Sequence, residues 1–284
     1  MKSLEELGTT GISQIADLIP KVILDEVEEA ARARRFGRAL VRINEDLVRT
    51  KGRSIVVGRR STLQAGSVSE GTSLKTSVQA GTLAYTATTI TPSKVGTWAV
   101  ITQEAIEGCE LNLIKDAITE AGYALAYKED SDIITALLTT TNTVNAQAEG
   151  TWSVNAYKVI AAAVAKIRAA NWTPKFLVVH PNDLKAILTT DLFMDASKYG
   201  SAEPILNGEI GKIAGLKVLV TTQISQGTAL VVDPDRAGWM AIRRRLDMKR
   251  WDNPDTDSIE LYFYTEYGVA LTDSSACVKI TNIT

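Results

Sequence analysis

Residues 61–97 read STLQAGSVSEGTSLKTSVQAGTLAYTATTITPSKVGT. About half of these positions are serine, threonine or glycine, a composition of loops rather than of cores. The flanks differ. Ser54-Ile55-Val56-Val57 and Tyr85-Thr86-Ala87-Thr88-Thr89-Ile90 carry the β-branched and aromatic residues that favour strands. Two strands joined by a long polar connection predict a β-hairpin extending from the body. The stretch holds too few large apolar residues to build its own core. Compact domains seldom carry an excursion of this length. One that persists gains its stability by lying on another subunit, so the stretch points to an assembly protein.

On the C-terminal side, Thr102-Gln103-Glu104 predicts a helix start, with Thr102 as cap and Glu104 in the first turn. Gly108 interrupts it. Leu111, Ile114, Ile118, Ala121 and Leu125 recur at helical spacing, and Ile133, Ile134, Leu137 and Leu138 continue the apolar pattern. One helix over that span is about 40 Å long, which suits a structural spine. A polar linker is expected from Thr139 to Gly150. An α/β region follows, with a helix on Ala156, Ile160, Ala163 and Ile167 capped by Asn155. Strands are expected at 176–180, 216–221 and 228–232, with a short helix at 182–188. The last segment is strand-rich. Ile259, Leu261 and Phe263 alternate with Glu260, Tyr262 and Tyr264, the pattern of a half-buried strand. Asp252-Asn253-Pro254-Asp255 is a strong turn signal, and Cys277-Val278-Lys279-Ile280 is a further strand. Arg243-Arg244-Arg245 would alternate between the two faces of its strand.

On the N-terminal side, residues 1–50 read as a charged, helix-prone arm. Asp25 to Glu29 precede Arg32, Arg34, Arg35, Arg38 and Arg42, an order that suits the dipole of one helix. Arg32, Arg34, Arg35 and Arg38 are candidates for contact with DNA phosphates or with an acidic neighbour, against the simpler reading of a solvated helix face.

The whole chain has 284 residues, 45% hydrophobic and 23% charged, which is ordinary for a globular protein. Its formal net charge of −2 is not that of a protein coating nucleic acid with its whole surface. Two cysteines, Cys109 and Cys277, cannot staple a chain this long and are expected as free thiols. The acidic start Met1-Lys2-Ser3-Leu4-Glu5-Glu6 lacks the charge pattern of a signal peptide, and no segment is apolar for long enough to span a bilayer, so synthesis in the cytoplasm without a membrane partner is expected.

The residues give catalysis little to work with. The one histidine, His180, lies between the apolar run 176–179 and Pro181-Asn182-Asp183, and reads as a turn residue rather than the base of a dyad with Cys109 or Cys277. One histidine and two distant cysteines cannot make a tetrahedral zinc site without carboxylates. Gly208-Glu209-Ile210-Gly211-Lys212 lacks the spacing of a phosphate loop, and no nucleophile elbow occurs. No catalytic residue, metal or cofactor is expected.

The order of these parts resembles the major capsid proteins of tailed bacteriophages, with the Hong Kong 97-type shell fold. The resemblance rests on Ala65 to Gly71, Thr86 to Ile90 and Thr91 to Gly96, which look like that family's extended E-loop and return strand. It rests also on Ile101 to Ile106, like the entry to the spine helix, and on Val178 to Leu184 and Gly211 to Val218, like segments of its axial domain. It implies an α+β fold with an N-terminal arm at 1–50 and an E-loop at 51–100. A peripheral domain would be built from 101–150 and 241–284, with an axial domain at 151–240 inserted between. It also implies self-assembly as hexamers and pentamers into an icosahedral virion shell around double-stranded DNA, and a separate scaffolding protein and a portal as partners. Arg59, Arg60, Glu70 and Lys75 are the expected E-loop contacts to neighbouring subunits, and Asp252, Asn253 and Asp255 those of the peripheral turn. Lys75 and Asn253 carry the residue types that some relatives crosslink, but no motif ties them to that chemistry. The alternatives are an encapsulin-like compartment holding protein cargo, a cytosolic enzyme using His180 or a carboxylate pair, and a nucleic-acid-binding protein acting through Arg32 to Arg42.

Overall fold

The computed structural model describes residues 35–50, 52–61, 63, 65–73, 75, 84–108, 113–188 and 212–283. The described chain enters through a 3-10 turn, Gly37–Leu40, and a short strand β1, Arg42–Asn44, before helix α1, Asp46–Arg49. The hairpin strands follow as β2, Ile55–Arg60, and β3, Tyr85–Ile90. They pair antiparallel, from Ile55 opposite Ile90 to Arg60 opposite Tyr85.

Strand β4, Ser93–Thr102, leads into helix α2, Gln103–Gly108, and the long helix α3, Leu113–Leu138. The Thr102 hydroxyl accepts from the Ala105 N–H at 3.4 Å, as a cap should. Helix α3 has 26 residues and a length of about 39 Å. The expected linker after it is not structureless. It contains strand β5, Thr143–Asn145, and helix α4, Ala146–Glu149, which the Asn145 side chain caps. Six of its residues are threonine or asparagine, which mimic a loop until a neighbouring strand supplies pairing.

Helix α5 spans Trp152–Ala169. Asn155 lies inside it with non-helical φ −146° and ψ 65°, and its side chain accepts from the Lys158 N–H at 3.2 Å. Asn155 thus caps the main body of the helix, and one extra turn precedes it. Strand β6, Phe176–Val179, and helix α6, Pro181–Leu188, come next. Strands β7, Lys212–Ile213, β8, Leu216–Val220, and β9, Ala229–Val232, complete this region. The long strands β10, Gly238–Asn253, and β11, Ser258–Leu271, precede β12, Cys277–Thr281.

Two main sheets result. One has the order β1-β10-β11-β4 and the other β5-β12-β9-β6-β8-β7. β12 therefore leaves the β10–β11 hairpin and joins the sheet of the 151–240 region, where Cys277 pairs with Val232. β5 pairs with the far edge of β12. Strands β6 and β9 lie inside the six-stranded sheet, and their continuous apolar runs FLVV and ALVV are those of strands covered on both faces.

Three apolar clusters hold the body together. Trp152, Ile160 and Ile167 pack on Leu177, Val231 and Val278 to cover one face of the six-stranded sheet. Ile133, Ile134 and Leu137 of α3 pack against Leu230 and Val232 on one side and Met240, Ile242 and Tyr267 on the other, which is the seam between the sheets. Ile118, Ala121 and Leu125 pack under Met248, Leu261 and Phe263. One helix thus serves both sheets. At Gly96 the strands approach so closely that a Cβ would lie 2.7 Å from the Phe263 carbonyl oxygen.

Candidate assembly surfaces

The hairpin has two unlike faces. Ile55, Val57 and Ile90 turn inward and pack with Leu47 and Ala241. Arg59, on that same side by alternation, meets Asp273 of its own chain at 2.8 Å. Within the chain, Arg59 staples the hairpin to the body. Asp273 also accepts from the Ser275 N–H, so the pair is braced at its base. The opposite face carries Val56, Arg60 and Tyr85, all exposed. The Ser61 N–H donates to the Ala84 carbonyl, and the Ala84 N–H donates to the Ser61 hydroxyl, where the hairpin opens into its long connection. Glu70 and Lys75 lie beyond that point and are exposed.

The four-stranded sheet shows the same asymmetry on a larger scale. Its lower face rests on α3. On its upper face Trp98 lies opposite Tyr262 and Val100 opposite Glu260. Trp251 lies opposite Glu260 from the other side, and Lys249 opposite Tyr262. The Trp98 and Tyr262 rings stack with centroids 5.9 Å apart. Trp98 is 60% and Trp251 62% exposed. Contiguous exposed aromatic surface of this kind marks an interaction site. Trp98 and Trp251 were missed as site residues; their signal was two tryptophans on strands β4 and β10, which flank β11 with its inward Leu261 and Phe263 and outward Tyr262.

The turn beyond this face builds itself. The Asn253 side chain accepts from the Asp255 N–H at 3.1 Å and donates to Glu260 at 3.2 Å, and Arg250 holds Asp252 at 2.9 Å. Asp255 remains exposed. The run Arg243-Arg244-Arg245 departs from simple alternation. Register shifts on either side of Arg244 bulge the strand, so Arg243 and Arg244 reach the same Glu266 at 3.3 and 3.9 Å. Arg245 pairs with Glu45.

The basic entry segment is also engaged within the chain. Arg38 makes a bidentate pair with Glu129, whose second bond is 3.1 Å, and Arg35 lies 3.4 Å from the same carboxylate. Glu129 is 2% exposed. Arg35 and Arg38, candidates for DNA phosphates or for an acidic neighbour, pair within the chain with a buried acid on α3. The cause is tertiary, since Glu129 lies 91 residues from Arg38. Beside it, Asp130 accepts from the N–H groups of Gly37 at 2.9 Å and Phe36 at 3.3 Å. Burial pushes the Asp130 carboxyl up to about 6, opposed by those two bonds. The neighbouring Tyr267 hydroxyl donates to Asp132 at 2.9 Å, and burial raises its pKa as well. Arg32 and Arg34 lie outside the described residues.

Nothing described assembles into a catalytic centre. The His180 Nδ1 accepts from the Asn182 N–H at 3.2 Å and its carbonyl accepts from Asp183 and Leu184, so it starts helix α6. Cys277 is fully buried, and burial pushes its thiol upward, away from the reactive thiolate. Cys109 lies outside the described residues. Among the described residues no cluster of three metal-ligating side chains occurs, and no helix is long and apolar enough to cross a membrane.

The fold and its two one-sided surfaces define a shell-building class. The chain superimposes on a solved structure from Mycobacterium phage Che8 with TM-score 0.72 and 15% identity, covering 87% of this chain and 91% of that one. It superimposes on the mature capsid of bacteriophage PhiM1 with TM-score 0.68 and 10% identity, covering 87% and 86%. These likenesses give the fold, an α+β fold of the Hong Kong 97-like phage shells. In sequence, a profile described as phage capsid protein matches residues 84–280. A major capsid protein of Staphylococcus phage phiMR11 is 26% identical over 191 residues, 66% of each chain. The chain belongs to the phage capsid protein family. It is a major capsid protein, a structural component of the virion shell rather than an enzyme.

Proposed function

We propose that this chain closes into hexamers and pentamers of an icosahedral shell around packaged double-stranded DNA. In this reading residues 1–50 are an arm and 51–100 an E-loop reaching onto a neighbouring copy. The four-stranded sheet with α3 is the peripheral domain, and the six-stranded sheet is the axial domain. The observation that carries the reading is the hairpin with one face stapled to its own body and the other bare. Val56, Arg60 and Tyr85 form that bare face, and the aromatic face of Trp98, Val100, Trp251 and Tyr262 is the second surface left for a neighbour. Arg60, Glu70, Lys75 and Asp255 supply charged rim contacts of about 0–1 kcal/mol each, which become decisive only when repeated over a closed shell. Weak single contacts also let misplaced subunits leave. A separate scaffolding protein guides curvature and a portal admits the DNA.

Deletion of 62–83, closed by a short glycine–serine link, tests this. It spares the β2–β3 pairing and the buried Ile90. The expected product is a folded, unassembled subunit by electron microscopy. Normal closed shells from it would reject the E-loop role. Nuclease-protected DNA in shells of the full chain, rather than protein cargo, is the expected content.

A further inference from the structure

Between helix α3 and the end of β8 lies a pocket of about 300 Å³, lined by Phe36, Tyr123, Tyr127, Asp130 and Gln223 among others. That volume sits at the small end of the range for small-ligand sites, about 300–1,000 Å³. Its chemistry is one-signed. Three aromatic rings contribute walls. Asp130, 1% exposed, contributes a carboxylate. Each Asp130 oxygen already accepts one backbone N–H, which leaves further lone pairs on both. Gln223 adds a second acceptor. Its Nε2 donates to the Tyr127 carbonyl at 3.1 Å, which fixes the amide orientation, and its buried Oε1 has no hydrogen-bond partner among the described residues.

An orphan acceptor beside a carboxylate and aromatic faces calls for a donor that carries positive charge. We propose that this pocket binds an organic cation: an alkylammonium or guanidinium head, presented by a lysine or arginine of a second copy or by a free polyamine.

The surrounding charges favour the assignment. Glu129, on the same helix, adds negative potential at Asp130. Arg35 is the opposing cation and is engaged with Glu129, with Arg38 behind it. Phe36 and Gly37 present only their N–H groups, and Tyr123 and Tyr127 only phenols. Pro181 and residues 220–223 bring no ionisable group, and the His180 Nδ1 faces the Asn182 N–H. With its carboxyl held up to about 6, Asp130 is charged near neutrality and protonated in mild acid, so cation binding and proton binding compete.

The test titrates the full unassembled chain with n-butylammonium, with 1,4-diaminobutane and with the uncharged control n-butanol. Saturable binding of the amines near neutral pH, weaker by about tenfold at about pH 5, and no binding of butanol are expected. Tyr127→Ala, at a position 58% exposed and so safe for folding, weakens the amines about three- to tenfold. Asp130→Asn abolishes the pH dependence. Amines that do not bind, butanol that binds equally, or an unaltered Tyr127→Ala overturns the proposal. Assembled shells then separate the two sources. Shells that refuse added amine have the site filled by another copy, and shells that take it up draw the cation from solution. Only this last arm rests on the shell-forming reading; the titration of the unassembled chain stands without it.

Discussion

Strand β9 of the six-stranded sheet is buried at all four of its positions, whereas β11 of the four-stranded sheet buries Leu261 and Phe263 beneath and leaves Tyr262 exposed above. The first sheet is covered on one side by α5 and on the other by the seam with α3. The second has α3 below, and among the described residues nothing covers its aromatic upper face. The same chain therefore contains one sheet that completes its own core and another that stays half finished. A subunit that folds alone and then assembles needs both: an autonomous core for folding, and a face whose burial waits for a neighbour.

The largest effect should come from breaking the self-sufficient half. Trp152 is 1% exposed, and its Nε1–H donates to the Asp183 carbonyl at 2.9 Å. Trp152→Ala removes a filled volume and a buried hydrogen bond, so it should cost about 3–5 kcal/mol. Chemical denaturation of the unassembled chain measures it. A loss below about 1 kcal/mol would mean that α5 is not integral to that sheet.

Next in size is the anchorage of the entry segment. Removing one partner of a buried ion pair costs about 3–5 kcal/mol when the other charge stays buried. Arg38 is 34% exposed at its side chain and can turn to water, while Arg35 is more enclosed. Glu129→Ala should therefore cost about 2–3 kcal/mol, below the fully buried case. Limited proteolysis should also cut near Arg35 and Arg38 sooner than in the parent chain. An unchanged cleavage pattern would show that the Asp130 bonds to Phe36 and Gly37 hold the segment unaided.

How much of this was legible follows the range of the interactions. The hairpin, the α3 helix, the Asn155 cap and the Pro181 helix start are local patterns, read from residues within a few positions of one another. The inward alternation of Leu261 and Phe263 was equally local. The partners of Arg35, Arg38 and Arg59 were not, because Glu129 and Asp273 become neighbours only after the chain has folded. The pairing of β12 was out of reach for the same reason, since an apolar run announces a strand but not its partner, and β5 lies in a polar stretch that reads as a linker. The aromatic surface was within reach of the sequence, since Trp98 and Tyr262 occupy outward positions. It was passed over because charged residues draw attention as site candidates, whereas several of those charges, Arg35, Arg38, Arg59 and Asp252, pair within the chain and aromatic side chains are left bare.

A smaller effect distinguishes the seam from both sheets. Asp130 has a folded-state pKa of about 6 against an ordinary 3.8, so the folded chain holds this proton more tightly than the unfolded one. Its contribution to stability is fully present below about pH 4 and is lost as pH rises through about 6. In Asp130→Asn that component is absent. The variant loses part of the anchorage of Phe36 and Gly37, yet its stability relative to the parent should improve steadily from about pH 4 to pH 7. Parallel curves for the two proteins across that window would place the proton elsewhere.

The smallest expected change in the subunit is the one with the largest consequence for assembly. Trp251 is exposed, and threonine at its place retains strand propensity in β10. Trp98 is a poorer choice, because its stack on Tyr262 contributes to the subunit itself, about 0.5–1.5 kcal/mol. Trp251→Thr should change the stability of the unassembled chain by no more than about 0.5 kcal/mol, as surface substitutions usually do. If the upper face is the unfinished half of the core, the same substitution should sharply lower the yield of closed shells, because each shell repeats the loss at every subunit. Equal shell yield would leave the aromatic face without a partner and shift the burden of assembly to the hairpin. A destabilised subunit would show that Trp251 already serves its own fold. The two readouts, folding and closure, separate what a residue contributes within one copy from what it contributes between copies.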